Sequence, residues 1–347
     1  MTTTLSGRLF LALAAAIVFY VLLGLLAGWS DLRRELTTLS PSVVASLVLL
    51  SACNYVLRWL RWELYRQRMA IRIPLRESLS LFFATFAMVI TPGKLGEVYK
   101  AAFLHEKRAV PWSTSLPILL AERIYDFLAV LLLAGVGLTA WQGPLASLRL
   151  SLLVAGIVPL LLIGLRWRRA QSWLLAQARR LPALQRRTEA LETAWQRLDS
   201  LTGPGLTAAA LALSVLAWAA ECGSLWLVLR ALGAPLPPLE AAFVYAAATL
   251  AGSLVFLPGG LGGAEGTIIL LLTARGMANA TAISAALIVR LATLWLAVAI
   301  GLAVFAAARR LLLSPATAAP AGTAPVDPEP PDARPPATRR TVSDSSR

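Results

Sequence analysis

The sequence predicts an all-α, polytopic membrane protein, and three observations carry that expectation. Of its 347 residues, 58% are hydrophobic and only 14% are charged, where a soluble domain carries about a quarter charged residues. The apolar residues are gathered into runs of spanning length. The charges that remain are clustered between those runs. So few charges cannot cover a water-facing surface, which makes the bilayer the main solvent.

A helix needs about 20 apolar residues to cross the hydrocarbon core. Six stretches qualify, at about 9–29, 42–61, 113–141, 148–165, 205–230 and 279–308. The first follows Arg8 and is too long for a signal-peptide core. Ser30 to Arg34 behind it do not resemble a cleavage site, so it is expected to be retained. Two further apolar stretches end in glycine-rich breaks. One runs from Glu77 to Ile90 and meets Pro92-Gly93-Lys94-Leu95-Gly96-Glu97. The other runs from Glu240 to Leu257 and meets Pro258-Gly259-Gly260-Leu261-Gly262-Gly263-Ala264-Glu265. A short second helical arm is expected after each break.

The basic residues set the orientation. Six arginines lie between Arg58 and Arg76, three lysines and one arginine between Lys94 and Arg108, and eight arginines between Arg166 and Arg197. Assigned to the cytoplasm by the positive-inside rule, they put both termini inside a bacterial-type inner (cell) membrane. The arm at 77–91 then has cytoplasmic loops on both sides, and the arm at 240–257 has external ones. Both are expected to be re-entrant hairpins turning at Pro92, Gly93 and Gly96 and at Pro258, Gly259, Gly260, Gly262 and Gly263. Such backbone is tolerated at membrane depth only where protein or water covers it.

The two halves, about 42–141 and 205–308, correspond. Pro74-Leu75 matches Pro238-Leu239, Glu97 matches Glu265, and Arg123 matches Arg290 in the helix that follows. Opposite entry makes this an inverted repeat, an arrangement that in transporters brings broken elements together near the midplane. The transmembrane unit is expected over 1–313. Between the halves, 166–202 is basic, with Leu184, Leu191 and Leu198 seven apart. It reads either as an amphipathic helix on the inner leaflet or as a linker that only obeys topology. Residues 314–347, rich in Pro and Ala, are expected to form a disordered cytoplasmic tail.

Charged side chains inside the bilayer are costly and so are the candidates for function. Glu122 and Asp126 are four apart on one helical face, and Arg123 is placed to pair with Asp126. Arg290 has no adjacent acid and must meet Glu265, Glu221, a backbone carbonyl or an anion. Arg123 and Arg290 offer planar donors suited to phosphate. Glu97, Glu122, Asp126 and Glu265 would complete a headgroup site, or the whole set would only fix helix packing. Amides opening each second arm are a further place for an anion. Arg58-Trp59-Leu60-Arg61-Trp62 reads as an interfacial anchor. The formal charge of +14 is attributed to these loops and not to nucleic acid. Cys53, Cys222 and the lone His105 make no metal or disulfide set, and no cofactor motif is present.

Three segments in order, Pro92 to Glu97, Glu122-Arg123-Ile124-Tyr125-Asp126 and Pro258 to Glu265, resemble the membrane domain of lysyl-phosphatidylglycerol synthase/flippase proteins. The resemblance covers roughly 5–312. It implies re-entrant helices and movement of a lipid between leaflets, the lipid being an anionic or aminoacylated phospholipid or another isoprenoid or glycolipid. It does not imply synthase activity, which in full-length relatives belongs to a separate soluble domain. In the second half, Val289-Arg290-Leu291 replaces the acid-flanked arginine of the first, so the halves need not bind the same groups. The expected function is a lipid flippase or transporter without enzymatic activity, compatible with a homo-oligomer. The alternatives are a non-transporting scaffold for a lipid-biosynthetic enzyme and an enzyme using Glu122 and Asp126 on a headgroup.

Overall fold

Each spanning-length run that the structure describes folds as a helix. The architecture is that of a computed structural model, which describes residues 29–89, 95–141, 156–164, 188–254 and 258–313, with scattered positions at 18–25 and 172–180. The helices are α1 (Trp29–Thr38), α2 (Pro41–Arg68), α3 (Leu75–Ala84), α4 (Leu95–Arg108), α5 (Trp112–Trp141), α6 (Thr188–Leu201), α7 (Pro204–Ala231), α8 (Pro238–Leu254), α9 (Gly263–Ala274) and α10 (Asn279–Ala307). A 3-10 turn, Thr85–Met88, continues α3. A π-turn at Leu291–Trp295 interrupts α10. Among the described residues there is no strand. The fold is all-α.

Among the described residues four helices, α2, α5, α7 and α10, are long and apolar enough to cross a membrane. Residues 156–164 of the expected fourth span are helical. Most of the expected first span, the turn holding Pro92 and Gly93, Leu184 and the tail from 314 lie outside the described residues. Starts follow the local chemistry. Pro41 and Pro204 occupy first-turn positions of α2 and α7, where the missing N–H costs nothing, and Ser40 caps Val43.

The halves interlock. The first long helices, α2 and α7, pack along each other, and Asn54 Nδ2 donates to the Ala217 carbonyl at 2.8 Å. The hairpin of each half then packs on the last helix of the other: α8 on α5, and α3 with its 3-10 turn on α10. Both crossings are close enough to demand glycine. A Cβ at Gly137 would lie 2.5 Å from the Leu239 carbonyl oxygen, and one at Gly301 would lie 2.1 Å from the Ala87 nitrogen.

The hairpins enter from opposite ends of α5, a helix of 30 residues and so about 45 Å long. The mouth of the first, α3–α4, is closed by Arg108 and Glu77, directly before the start of α5. The Glu77 hydrogen bond holds the Arg108 guanidinium above its ordinary pKa. The mouth of the second, α8–α9, is closed by Arg275 and Glu240 at 2.9 Å, with Arg275 also donating to the carbonyl of Trp141, the last residue of α5. In each half a first-turn glutamate of the first arm meets an arginine ending the second arm.

At the second turn, Gly259, Gly260 and Gly262 have φ of 64°, 70° and 81°, a region that favours glycine. Gly263 opens α9, and Gly96 lies in the first turn of α4.

The segment between the halves corrects one expectation. Leu198 and Leu201 of α6 are buried in the main hydrophobic cluster with Tyr65 and Tyr125, and α6 packs on α5. Its apolar side faces protein because α5 and α2 offer a dry surface there. His105 is exposed, stacking on Trp112, as a surface residue would.

Candidate functional site

The tips of the two hairpins and the middles of α2, α5, α7 and α10 enclose a cavity of about 290 Å³. Four basic side chains, Arg58, Lys100, Arg123 and Arg290, and four acidic ones, Glu97, Glu122, Asp126 and Glu221, line it. Aromatic and apolar groups such as Phe86, Phe127, Trp218 and Leu294 fill the spaces between. Arg123 and Arg290, from different halves, therefore face one space.

In the first half, charges converge on Asp126, whose side chain is only 6% exposed. Arg61 NH1 lies 2.7 Å from Oδ1, Arg123 NH2 lies 2.9 Å from Oδ2 and Arg58 NH2 lies 3.4 Å from Oδ2. Trp218 Nε1 donates to Oδ1 at 3.2 Å. Arg123 also pairs with Glu97 Oε1 at 2.9 Å. Glu122 points to a different partner: Lys100 Nζ lies 2.6 Å from its Oε2 and 4.6 Å from the Trp62 ring centroid. Glu122 and Asp126 share a helix face yet serve separate cations.

The second half is simpler. Arg290 Nε donates to Glu265 Oε1 at 2.7 Å, and its NH2 donates to the Gly259 carbonyl at 2.7 Å. Glu265 Oε2 accepts from the Gly262 amide at 2.8 Å. The opening amide of this second arm is thus capped by the chain's own carboxylate and is not open to an anion. Tyr20 also donates to Glu265 Oε1, at 2.8 Å. The pair Arg290–Glu265 repeats Arg123–Glu97: an arginine in the following helix holds a first-turn glutamate of the second arm.

All six expected site residues are brought together. Glu97, Glu122, Arg123, Asp126 and Arg290 line the cavity, and Glu265 lies fully buried behind Arg290. Several partners were not legible as such. The Arg58–Trp62 segment is not an interfacial anchor, since Arg61 and Trp62 are each 1% exposed. Arg61 serves Asp126, and Trp62 Nε1 donates to Ser78 at 3.1 Å. Lys100, counted with the cytoplasmic loop charges, is 3% exposed and turned inward. A usable signal existed: Ser51, Asn54, Arg58 and Arg61 recur at helical spacing in an apolar span, a polar stripe turned toward protein.

The donors are not all used. Arg58 Nε and Arg123 Nε are buried without a hydrogen-bond partner. Buried polar groups are normally satisfied, so among the described residues these two donors stand out. Among the described residues no cluster of three or more His, Cys, Asp or Glu is arranged to hold a metal ion.

Comparison with known proteins gives the family. The family profile described as "Lysylphosphatidylglycerol synthase TM region" matches residues 10–301. The chain belongs to this family. The matched region contains both hairpins and every residue lining the cavity. The chain is also similar to proteins named "UPF0104 membrane protein" from Methanothermobacter thermautotrophicus. One is 25% identical over 314 residues, covering 81% of this chain and 87% of the relative. A second is 25% identical over 303 residues, covering 80% and 89%. A third is 26% identical over 327 residues, covering 85% and 92%. With its apolar spanning helices, this member of the family is an integral membrane protein.

Proposed function

We propose that the protein moves a phospholipid, or another lipid with a phosphate-bearing headgroup, between the leaflets of a cell membrane. Both termini would lie in the cytoplasm, where the basic loops place them. One observation carries the reading: Arg123 and Arg290, from the two interlocked halves, face one cavity at the meeting of two hairpins that enter from opposite ends of α5. A headgroup would occupy the cavity while its acyl chains stay in the bilayer.

The chemistry supports a phosphate. Arg58 and Arg123 each keep an unpartnered Nε–H, and arginine binds phosphate through planar, charge-assisted hydrogen bonds. An incoming phosphate would compete with Glu97 for Arg123, whose side chain is 29% exposed. Exchange of one anion for another keeps the guanidinium paired throughout, which lowers the barrier to entry and exit. Movement without a nucleotide fits a facilitated or ion-coupled process.

Two other readings find less support. Glu122 is held by Lys100 and Asp126 by three arginines, so neither carboxylate is placed for acid–base work on a headgroup. The scaffold reading would use the basic segment and the tail, most of which lie outside the described residues; α6, the described helix of that segment, has its apolar side packed on α5.

The test is movement of labelled phosphatidylglycerol in proteoliposomes. The variant carrying Arg123→Gln and Arg290→Gln should lose most of the movement, with folding confirmed by thermal unfolding. A folded double variant that moves lipid at the original rate would remove both arginines from the mechanism.

A further inference from the structure

Ion pairing in the cavity leaves out one carboxylate. Glu97, Glu122, Asp126 and Glu265 each meet a cation at 2.9 Å or less. Glu221 meets none within 4.0 Å among the described residues. Its Oε2 accepts from the Tyr245 hydroxyl at 2.6 Å, and that hydroxyl lies 3.4 Å from Thr293 Oγ1. Glu221 is 8% exposed, lines the cavity, and sits well inside the spanning helix α7. A carboxylate at membrane depth with no cation is the charge the bilayer tolerates least. Taking up a proton removes that charge and costs no existing hydrogen bond, because Oε1 can carry the proton while Oε2 still accepts from Tyr245.

We propose that Glu221 is a proton-binding site and that its protonation couples headgroup movement to movement of a proton. The inference rests on the transport reading above. The step is simple: a proton from cavity water adds to Oε1, giving the neutral acid, and its later release regenerates the carboxylate. The groups that sense Glu221 from the packed elements are Tyr55 and Arg58 of α2, Asp126 of α5, Tyr245 of α8 and Arg290 of α10, with Cys222 on its own helix. Arg58 and Arg290 favour the anion. Asp126 and the dry surroundings favour the acid.

The charge of the cavity explains the coupling. Among the described residues its four basic and four acidic lining groups balance. Protonation of Glu221 shifts the cavity by one positive charge, which matches the single negative charge of a phosphodiester. The protonated state holds a headgroup more tightly, and deprotonation favours release. A proton taken up on one side and released on the other therefore biases the direction in which lipid moves.

Two measurements on the full chain in liposomes test this. In infrared difference spectra, falling pH should raise a carboxylic-acid band that is missing from Glu221→Gln and appears at a different pH in Tyr245→Phe. The same band at the same pH in all three proteins overturns the site. If Glu221→Gln does not fold, the Tyr245→Phe shift still decides, and an unmoved band counts against the proposal. In the second measurement, movement of labelled phosphatidylglycerol is compared with and without an imposed pH gradient. The wild-type ratio should be several-fold, and that of Glu221→Gln should fall to one. Lipid movement indifferent to the gradient in the wild type overturns proton coupling and leaves the transport reading standing. No movement in either condition overturns both.

Discussion

Gly301→Ala probes the crossing on which the interlocked fold depends. A Cβ at Gly301 would sit 2.1 Å from the Ala87 nitrogen and 2.6 Å from the Phe86 carbonyl carbon. Both are backbone atoms and cannot rotate away. Restoring an ordinary contact of 3.4 Å requires the crossing to open by roughly 1.3 Å. A gap of about 0.5–1 Å already forfeits a quarter to a half of each dispersion well, and overpacking of this kind costs about 1–3 kcal/mol. Alanine recovers up to about 1 kcal/mol through helix propensity. The expected net loss is about 1–2 kcal/mol, read as unfolding in a denaturing-detergent titration followed by tryptophan fluorescence. Gly137→Ala, whose Cβ would lie 2.5 Å from the Leu239 oxygen, should lose a similar amount at the matching crossing. Gly223→Ala, whose nearest atom is a Leu50 methyl at 3.8 Å, should be neutral or stabilising. If Gly301→Ala proves as stable as Gly223→Ala, the first hairpin does not cross α10 there, and the interlock is wrong.

Three other changes separate the charges of the site. Asp126→Ala strips the shared anion from Arg61, which is 1% exposed, and should cost about 3–5 kcal/mol by the same titration, with Asp126→Asn costing less because its amide oxygen still accepts. Glu122→Leu alone should destabilise strongly by leaving Lys100 buried and unpaired, whereas Glu122→Leu with Lys100→Met should restore most of the loss. Arg275→Ala removes the Glu240 pair, the bond to the Trp141 carbonyl and the stacking 4.0 Å over the Trp141 ring, for an expected loss of about 1–2 kcal/mol in thermal unfolding.

The sequence was legible where physics leaves a periodic or a costly mark. Spanning helices announce themselves by length, and Pro-Gly breaks by the backbone they free. Arg290 announced its need for Glu265 because an isolated intramembrane arginine has few remedies. Arg58 and Arg61 were harder because they sit near the end of a span, beside a basic loop, where arginine beside tryptophan ordinarily marks an interface. Their meaning depends on Asp126, some 65 residues away, and nothing local reveals that convergence. Lys100 was hidden in the same manner, since its partner Glu122 lies beyond a turn. The mouth-closing pairs Glu77–Arg108 and Glu240–Arg275 were visible only as loop charges, although their equivalence between halves was available to a residue-by-residue comparison.

The two halves share a scaffold but not a charge pattern, and under the proposed function the difference bears on direction. Each half closes its hairpin mouth with one glutamate and one arginine and holds its second arm with another such pair. The mouth pairs serve the fold, whereas the second-arm pairs also hold the two arginines to which the proposed function assigns the headgroup. What does not repeat is the Asp126 cluster in the first half and the Glu221–Tyr245 pair in the second. A strictly symmetric cavity would present the same field to a headgroup arriving from either leaflet. Here Arg58, Arg61 and Arg123 gather on α2 and α5, while Glu221, which meets no cation among the described residues, lies on α7. Under the proposed function, a headgroup phosphate crossing the cavity would meet first one electrostatic environment and then another. That contrast is built from residues the repeat does not constrain, so under the proposed function lipid preference and direction are set there without disturbing the interlocked helices.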